Sequence, residues 1–136
     1  MVVKKIFSIL VSLFIIMPVS AQEIMLQCNW EQSSVEAYSG NFLKRENKSK
    51  VFILKDNKVY SMQGELLPAD ISDNEIKIEL DNSDPKAKII ETFILNRITG
   101  NIDYREEYRA KGFLSTFRAI TTGNGSCKAV SATKKF

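Results

Sequence analysis

The chain has 136 residues, with 19 Lys or Arg against 16 Asp or Glu, two cysteines and no histidine. The lack of histidine excludes Ser-His-Asp and Cys-His catalysis and argues against a zinc site. Lys4 and Lys5 belong to an N-terminal leader, so the rest of the chain is near charge balance and carries no electrostatic footprint for nucleic acid.

That leader reads as a secretory signal peptide. Lys4 and Lys5 form a short basic region, Ile6 to Met17 is apolar, Pro18 ends the helix, and Val19-Ser20-Ala21 is a small-residue cleavage site. Cleavage is expected between Ala21 and Gln22. The alternative is an uncleaved membrane anchor, but a spanning helix needs about 20 apolar residues and Pro18 arrives too early. Lipidation would need a Cys directly after the apolar run, and Cys28 comes too late. The organisation is then a signal peptide over 1–21, one β-domain over 22–131 and a flexible basic tail over 132–136, with no membrane span left after cleavage.

In chain order, Glu23 to Trp30 alternates, with Ile24, Leu26, Cys28 and Trp30 on one face. Ser33 to Leu43 is a weaker strand with a turn or bulge at Ser39-Gly40-Asn41. Arg45 to Lys50 reads as a polar loop, and Val51 to Lys55 as a short buried strand. Asp56-Asn57 is a two-residue turn, because both side chains tolerate left-handed backbone. Lys58 to Met62 returns, and Gln63-Gly64 turns again. Leu66-Leu67-Pro68 is a short edge, since Pro68 has no N–H to give a central ladder. Glu75 to Leu80 alternates without error, and Asp81 to Ala87 is a loop.

Lys88 to Thr121 reads as three strands, Lys88 to Ile98, Ile102 to Arg109 and Phe113 to Thr121, separated by Thr99-Gly100-Asn101 and Ala110-Lys111-Gly112. In the middle one, Ile102, Tyr104 and Tyr108 face the core and Asp103, Arg105, Glu107 and Arg109 face water. Gly123-Asn124-Gly125 then turns the chain into a last strand, Ser126 to Val130. No stretch after the leader keeps a helical apolar period. The expected fold is all-β, an antiparallel sandwich or small barrel of about eight short strands.

Cys28 and Cys127 are the only cysteines, and in an exported chain they are expected to pair. That pairing makes the first and last strands neighbours, with Cα atoms about 4.4–6.8 Å apart. Lys44, Arg45, Lys48, Lys50, Lys55 and Lys58 form a basic stretch, read as solvated strand faces rather than a patch for an anionic surface. Asp81-Asn82-Ser83-Asp84 offers hard oxygens but lacks calcium-loop spacing, so it reads as turn chemistry and no metal is expected. Glu106 and Glu107 are adjacent on a strand and point to opposite faces, so they are no glycosidase pair. Glu91 is the other carboxylate weighed with them; Glu106 is the more interesting, because it shares the face of Tyr104 and Tyr108, and it is read as lying near a strand end where that face reaches water, or as pairing with an Arg. Tyr104, Tyr108, Phe113 and Phe117 are expected to fill the core rather than line a cavity.

Arg97, Thr99 and Gly100, then Gly125-Ser126-Cys127, then Lys134-Lys135-Phe136 resemble a pattern in small exported proteins of Gram-negative bacteria. These carry an Arg-x-Thr-Gly turn, a Gly-x-Cys and a basic tail. The resemblance covers the C-terminal part of the chain and implies export without a particular activity; it makes Arg97, Thr99 and Gly100 a candidate surface turn site. In architecture the chain is also similar to periplasmic lysozyme inhibitors, small disulfide-bonded barrels that insert a Ser-Gly-x-x-Tyr loop into the enzyme's cleft. Here the matching stretch is Ser39-Gly40-Asn41-Phe42-Leu43, with Leu at the Tyr position.

These features lead to an expectation of a periplasmic or secreted, non-enzymatic β-domain without a cofactor, binding a protein or an envelope component. The alternatives are a lipocalin-like carrier of a small apolar ligand and a lysozyme-inhibitor-like protein.

Overall fold

The computed structural model describes residues 23–112 and 117–131. The expected signal peptide and its cleavage site, Phe113 and the basic tail lie outside them. The described residues form nine strands: β1 (Glu23–Glu36), β2 (Phe42–Lys55), β3 (Lys58–Ser61), β4 (Leu66–Leu67), β5 (Ala69–Ile71), β6 (Glu75–Asp81), β7 (Ala87–Asn96), β8 (Asn101–Ala110) and β9 (Arg118–Ser131). Among the described residues no helix is long and apolar enough to cross a membrane.

All nine join one antiparallel sheet in the order β4-β3-β2-β1-β9-β8-β7-β6-β5. The chain therefore walks round a nearly closed barrel, each strand but β4 and β5 pairing with its neighbours in sequence, and β9 returns to pair with β1. The one seam lies between β4 and β5. Pro68 alone separates them, and its carbonyl accepts from the Glu79 N–H at 3.3 Å. A proline at the seam fits, since that position asks for no ladder donor. The barrel alternative of the expected fold is the one adopted.

Cys28 and Cys127 are bonded and stand directly opposite each other on β1 and β9. Their Cα atoms are 3.9 Å apart, closer than the range expected from sequence and closer than the roughly 4.5–5.5 Å of residues facing each other across one rung. The turn at Gly100 is tied to the same place, because the Cys127 N–H donates to the Gly100 carbonyl at 2.7 Å.

The core forms from the inward positions. Phe52, Phe93, Ile76, Ile78, Ile102, Val59 and Cys28 are fully buried, joined by Trp30, Leu95 and Tyr104. Phe93 packs its ring at 5.5 Å from Trp30, 5.3 Å from Phe52 and 5.1 Å from Tyr104. Aromatic clusters of this spacing add to the area term. The Tyr104 ring packs in this core as expected, but its hydroxyl end also lines a cavity, which the expectation did not include. Tyr108 and Phe117 make a separate edge-to-face pair at 5.9 Å, and Phe117 is exposed.

Three sequence readings are corrected. Ser33 to Leu43 is no strand of its own: its first part continues β1 and its last part opens β2. Arg45 to Lys50 is no loop but the middle of β2, in register with Glu46 opposite Gln32 and Lys48 opposite Trp30. Gly123-Asn124-Gly125 is no turn but lies inside β9. A Cβ on Gly123 would stand 2.5 Å from the Glu31 carbonyl oxygen, and one on Gly125 would stand 2.5 Å from Trp30 Cα. Glycine serves close strand approach there, and the turn-like composition conceals it. Asp56 and Asn57, with φ of 52° and 61°, do form the expected two-residue hairpin.

Candidate functional site

The barrel's two ends differ in chemistry. Counting back along β2 from buried Phe52 in steps of two gives Lys50, Lys48, Glu46 and Lys44, all on the inner face. Counting forward along β1 from Trp30 gives Gln32 and Ser34, both buried. Glu91 extends the face of Phe93 on β7, and Glu106 that of Tyr104 on β8. Together with Thr121 these line a cavity of about 290 Å³ at the end of the barrel where β1 turns into β2.

Its floor is aromatic and its polar groups are tied to one another. The Trp30 indole N–H donates to Gln32 Oε1 at 2.8 Å, and Gln32 Nε2 donates to Glu46 Oε1 at 3.4 Å. The hydroxyls of Ser34 and Thr121 meet at 2.6 Å. Lys44 and Lys48 both pair with Glu46, at 3.2 and 3.6 Å. The Lys44 hydrogen bond, helped by the charges of Lys44 and Lys48, holds the Glu46 carboxyl below the usual carboxylate range.

Glu91 and Glu106 face each other across β7 and β8. The Tyr104 hydroxyl donates to Glu91 Oε2 at 2.7 Å and lies 3.3 Å from Glu106 Oε2. One hydroxyl proton thus serves two carboxyl groups. Asn82 donates its amide N–H to Glu91 as well. Burial, and then the Glu91 charge, push the Glu106 carboxyl up, although the Tyr104 hydrogen bond, Lys44 and Lys48 oppose this. Burial and the Glu91 hydrogen bond push the Tyr104 hydroxyl far above its ordinary value, so it stays a donor. No lysine or arginine forms an ion pair with either carboxyl group among the described residues. Lys50, the cavity's third lysine, has no carboxylate partner there either. Its ammonium sits 5.5 Å from the Phe93 ring centre and 6.0 Å from that of Phe52.

The basic stretch from Lys44 to Lys58 is therefore not one surface. Lys44, Lys48 and Lys50 line the cavity, Arg45 stands on the outer face, and Lys55 and Lys58 flank the hairpin at the far end. Above the cavity rim, the β1–β2 hairpin exposes Tyr38 by 72%, Phe42 by 60% and Leu43 by 45%. A second cavity, about 240 Å³ and largely apolar, opens at the other end between Ile24, Leu26, Leu54, Ile76, Leu95 and Ala129.

The turn holding Arg97, Thr99 and Gly100 is a clasp between hairpins. Arg97 donates from its backbone N–H to the Asn74 carbonyl at 2.8 Å and from its guanidinium to the Ser72 carbonyl at 2.7 Å. Asn96 Oδ1 accepts from the N–H groups of Ile98 and Thr99, and Thr99 Oγ1 accepts from Asn101 N–H at 3.2 Å. Gly100 has φ +80, which explains the glycine. These groups are engaged with the protein itself. Likewise, Asp81 accepts from Ser83 N–H, and Asp84 from the N–H groups of Lys86 and Ala87. Among the described residues no cluster of His, Cys, Asp or Glu is placed to hold a metal ion.

The chain matches no protein-family model, no curated protein and no solved structure. The cavity walls are the only guide to its chemistry. Glu91 and Glu106 share one wall and one hydroxyl.

Proposed function

We propose that this is an exported, non-catalytic binding barrel that engages a protein or an envelope component with its polar end. The observation that carries the proposal is the coincidence of two features at that end. A charged cavity opens there, and Tyr38, Phe42 and Leu43 project beside it into solvent. Exposed aromatic side chains around a polar recess are the composition of a recognition surface rather than of a folding core. Export rests on the leader, and the Cys28–Cys127 bond is compatible with an oxidising compartment. Intact-mass analysis should find a chain beginning at Gln22.

Two further observations bear on the alternatives. The hairpin carrying Ser39 and Gly40 is the stretch that is similar to the inserting loop of lysozyme inhibitors, and it projects in this barrel too. The middle of the barrel is filled by Trp30, Phe52, Phe93 and Tyr104, which weighs against a lipocalin-like carrier. The apolar recess at the far end, about 240 Å³, is smaller than pockets that enclose a small ligand, about 300–1,000 Å³.

The test is a comparative pull-down from periplasmic extract. The wild-type domain should retain a discrete partner that a Tyr38→Ala, Phe42→Ala variant loses. Equal retention by both would contradict the proposal.

A further inference from the structure

The polar cavity holds charges of both signs that are not matched to one another. Glu46 already serves Lys44 and Lys48. The charges of Lys44 and Lys48 reach Glu106 as well, but among the described residues no lysine or arginine forms an ion pair with Glu91 or Glu106, and no ion pair joins Lys50 to a carboxylate, all in one recess. Like charges directly opposite each other on neighbouring strands destabilise a sheet. Here the pair is also partly desolvated, and a single Tyr104 proton is divided between the two groups. A packed barrel end has no need of this arrangement.

The spacing defines what would relieve it. Lys50 places its ammonium over the Phe93 ring. Glu91 lies two residues from Phe93 on the same face of β7, roughly 6–7 Å along the strand. An anion at Lys50 and a cation at Glu91 and Glu106 would therefore be held within one small molecule. The cavity, about 290 Å³, falls just below the usual range of ligand sites, about 300–1,000 Å³, and suits a molecule of only a few heavy atoms. Trp30, Phe93 and Tyr104 offer aromatic surface beside the cation position.

We infer that the cavity binds a zwitterionic ammonium–carboxylate molecule, a free amino acid, with the ammonium at Glu91 and Glu106 and the carboxylate at Lys50. The inference deepens the reading of the polar end as the binding surface and rests on it. The raised proton affinity of Glu106 fits, because an arriving ammonium group takes over the charge balance that a proton otherwise provides.

The chain has a single tryptophan, and it lines the cavity, so its indole N–H resonance reports occupancy directly. Alanine, added to the protein at millimolar concentration, should shift that resonance saturably. Ethylamine and propionate, each offering one charge, should bind at least tenfold more weakly. Glu106→Gln and Lys50→Met should each weaken alanine binding at least tenfold while the remaining spectrum stays that of the folded barrel. The inference is overturned if alanine gives no saturable shift, if either single-charge probe binds as tightly, or if both variants bind alanine like the wild type. Loss of alanine binding beside a partner that still depends on Tyr38 and Phe42 would remove this inference alone. Alanine binding without such a partner would instead remove the macromolecular reading.

Discussion

Glu91 and Glu106 stand face to face across two paired strands, and the hydroxyl of Tyr104 is shared between them. Folding has drawn two carboxyl groups partly out of water and together, with one hydroxyl proton shared between them. That relationship makes the polar end of the barrel costly to build and chemically distinct from the other end.

The first prediction follows from its sign. Glu106 binds its proton more tightly in the folded chain than in the unfolded one, because burial and then Glu91 disfavour the charged form. Its contribution to stability is therefore fully present below the unfolded value, about 4.3, and is lost as pH rises through the raised folded value. Glu106→Gln should raise the melting temperature at neutral pH, and the gain should fade in acid. A variant less stable than the wild type at neutral pH would show that the pair is not under repulsion.

Tyr104 and Arg105 are adjacent on β8 but face opposite ways. Tyr104 is 5% exposed and Arg105 is exposed. Tyr104→Ala should cost on the order of 3–5 kcal/mol, and Arg105→Ala about 0.5 kcal/mol or less. Denaturant titrations of the two variants measure the difference directly. Equal losses would contradict the inward face assigned to β8.

The disulfide closes a loop with a sequence separation of 99. Replacing both cysteines by alanine should cost about 2–4 kcal/mol. Denaturant midpoints with and without the bond measure that loss. Thiol titration of the denatured, unreduced protein should find no free thiol, and two per chain would remove the cross-link from the account.

At Gly125 a methyl group would run into the backbone of Asn29 and Trp30. Gly125→Ala should lower stability by about 1–3 kcal/mol, as overpacking does, and should disturb the Trp30 indole resonance. A neutral substitution, read by the same titrations, would mean that β1 and β9 approach less closely here.

Much of this fold is legible in the sequence wherever one face is apolar. Glu75 to Leu80 and Ile102 to Arg109 alternate cleanly, so their faces can be read off directly. The cysteines place β1 beside β9, and Asp56-Asn57 marks its own hairpin. The candidate site is less legible, for a physical reason. From Lys44 to Lys50 both faces of β2 are polar, one because it meets water and the other because it lines a charged cavity, so no alternation of hydrophobicity remains to betray a strand. Glu106 stands out because it continues the face of Tyr104. Glu91 acquires its meaning only once β7 and β8 are in register. The step-of-two count onward from Phe52 and Trp30 was the available signal for Lys50, Lys48, Gln32 and Ser34. In β9, glycines that permit close strand approach resemble turn glycines in composition, and only the neighbouring backbone tells them apart.

The central claim is that the polar end of the barrel is the surface that meets a partner, and site-specific photo-crosslinking in intact cells tests it most directly. A crosslinking residue at position 38 lies beside the cavity; one at position 57 lies on the exposed hairpin at the opposite end. The account predicts a discrete crosslinked adduct from position 38 and none from position 57. No adduct from position 38, or the same adduct from both positions, would contradict it.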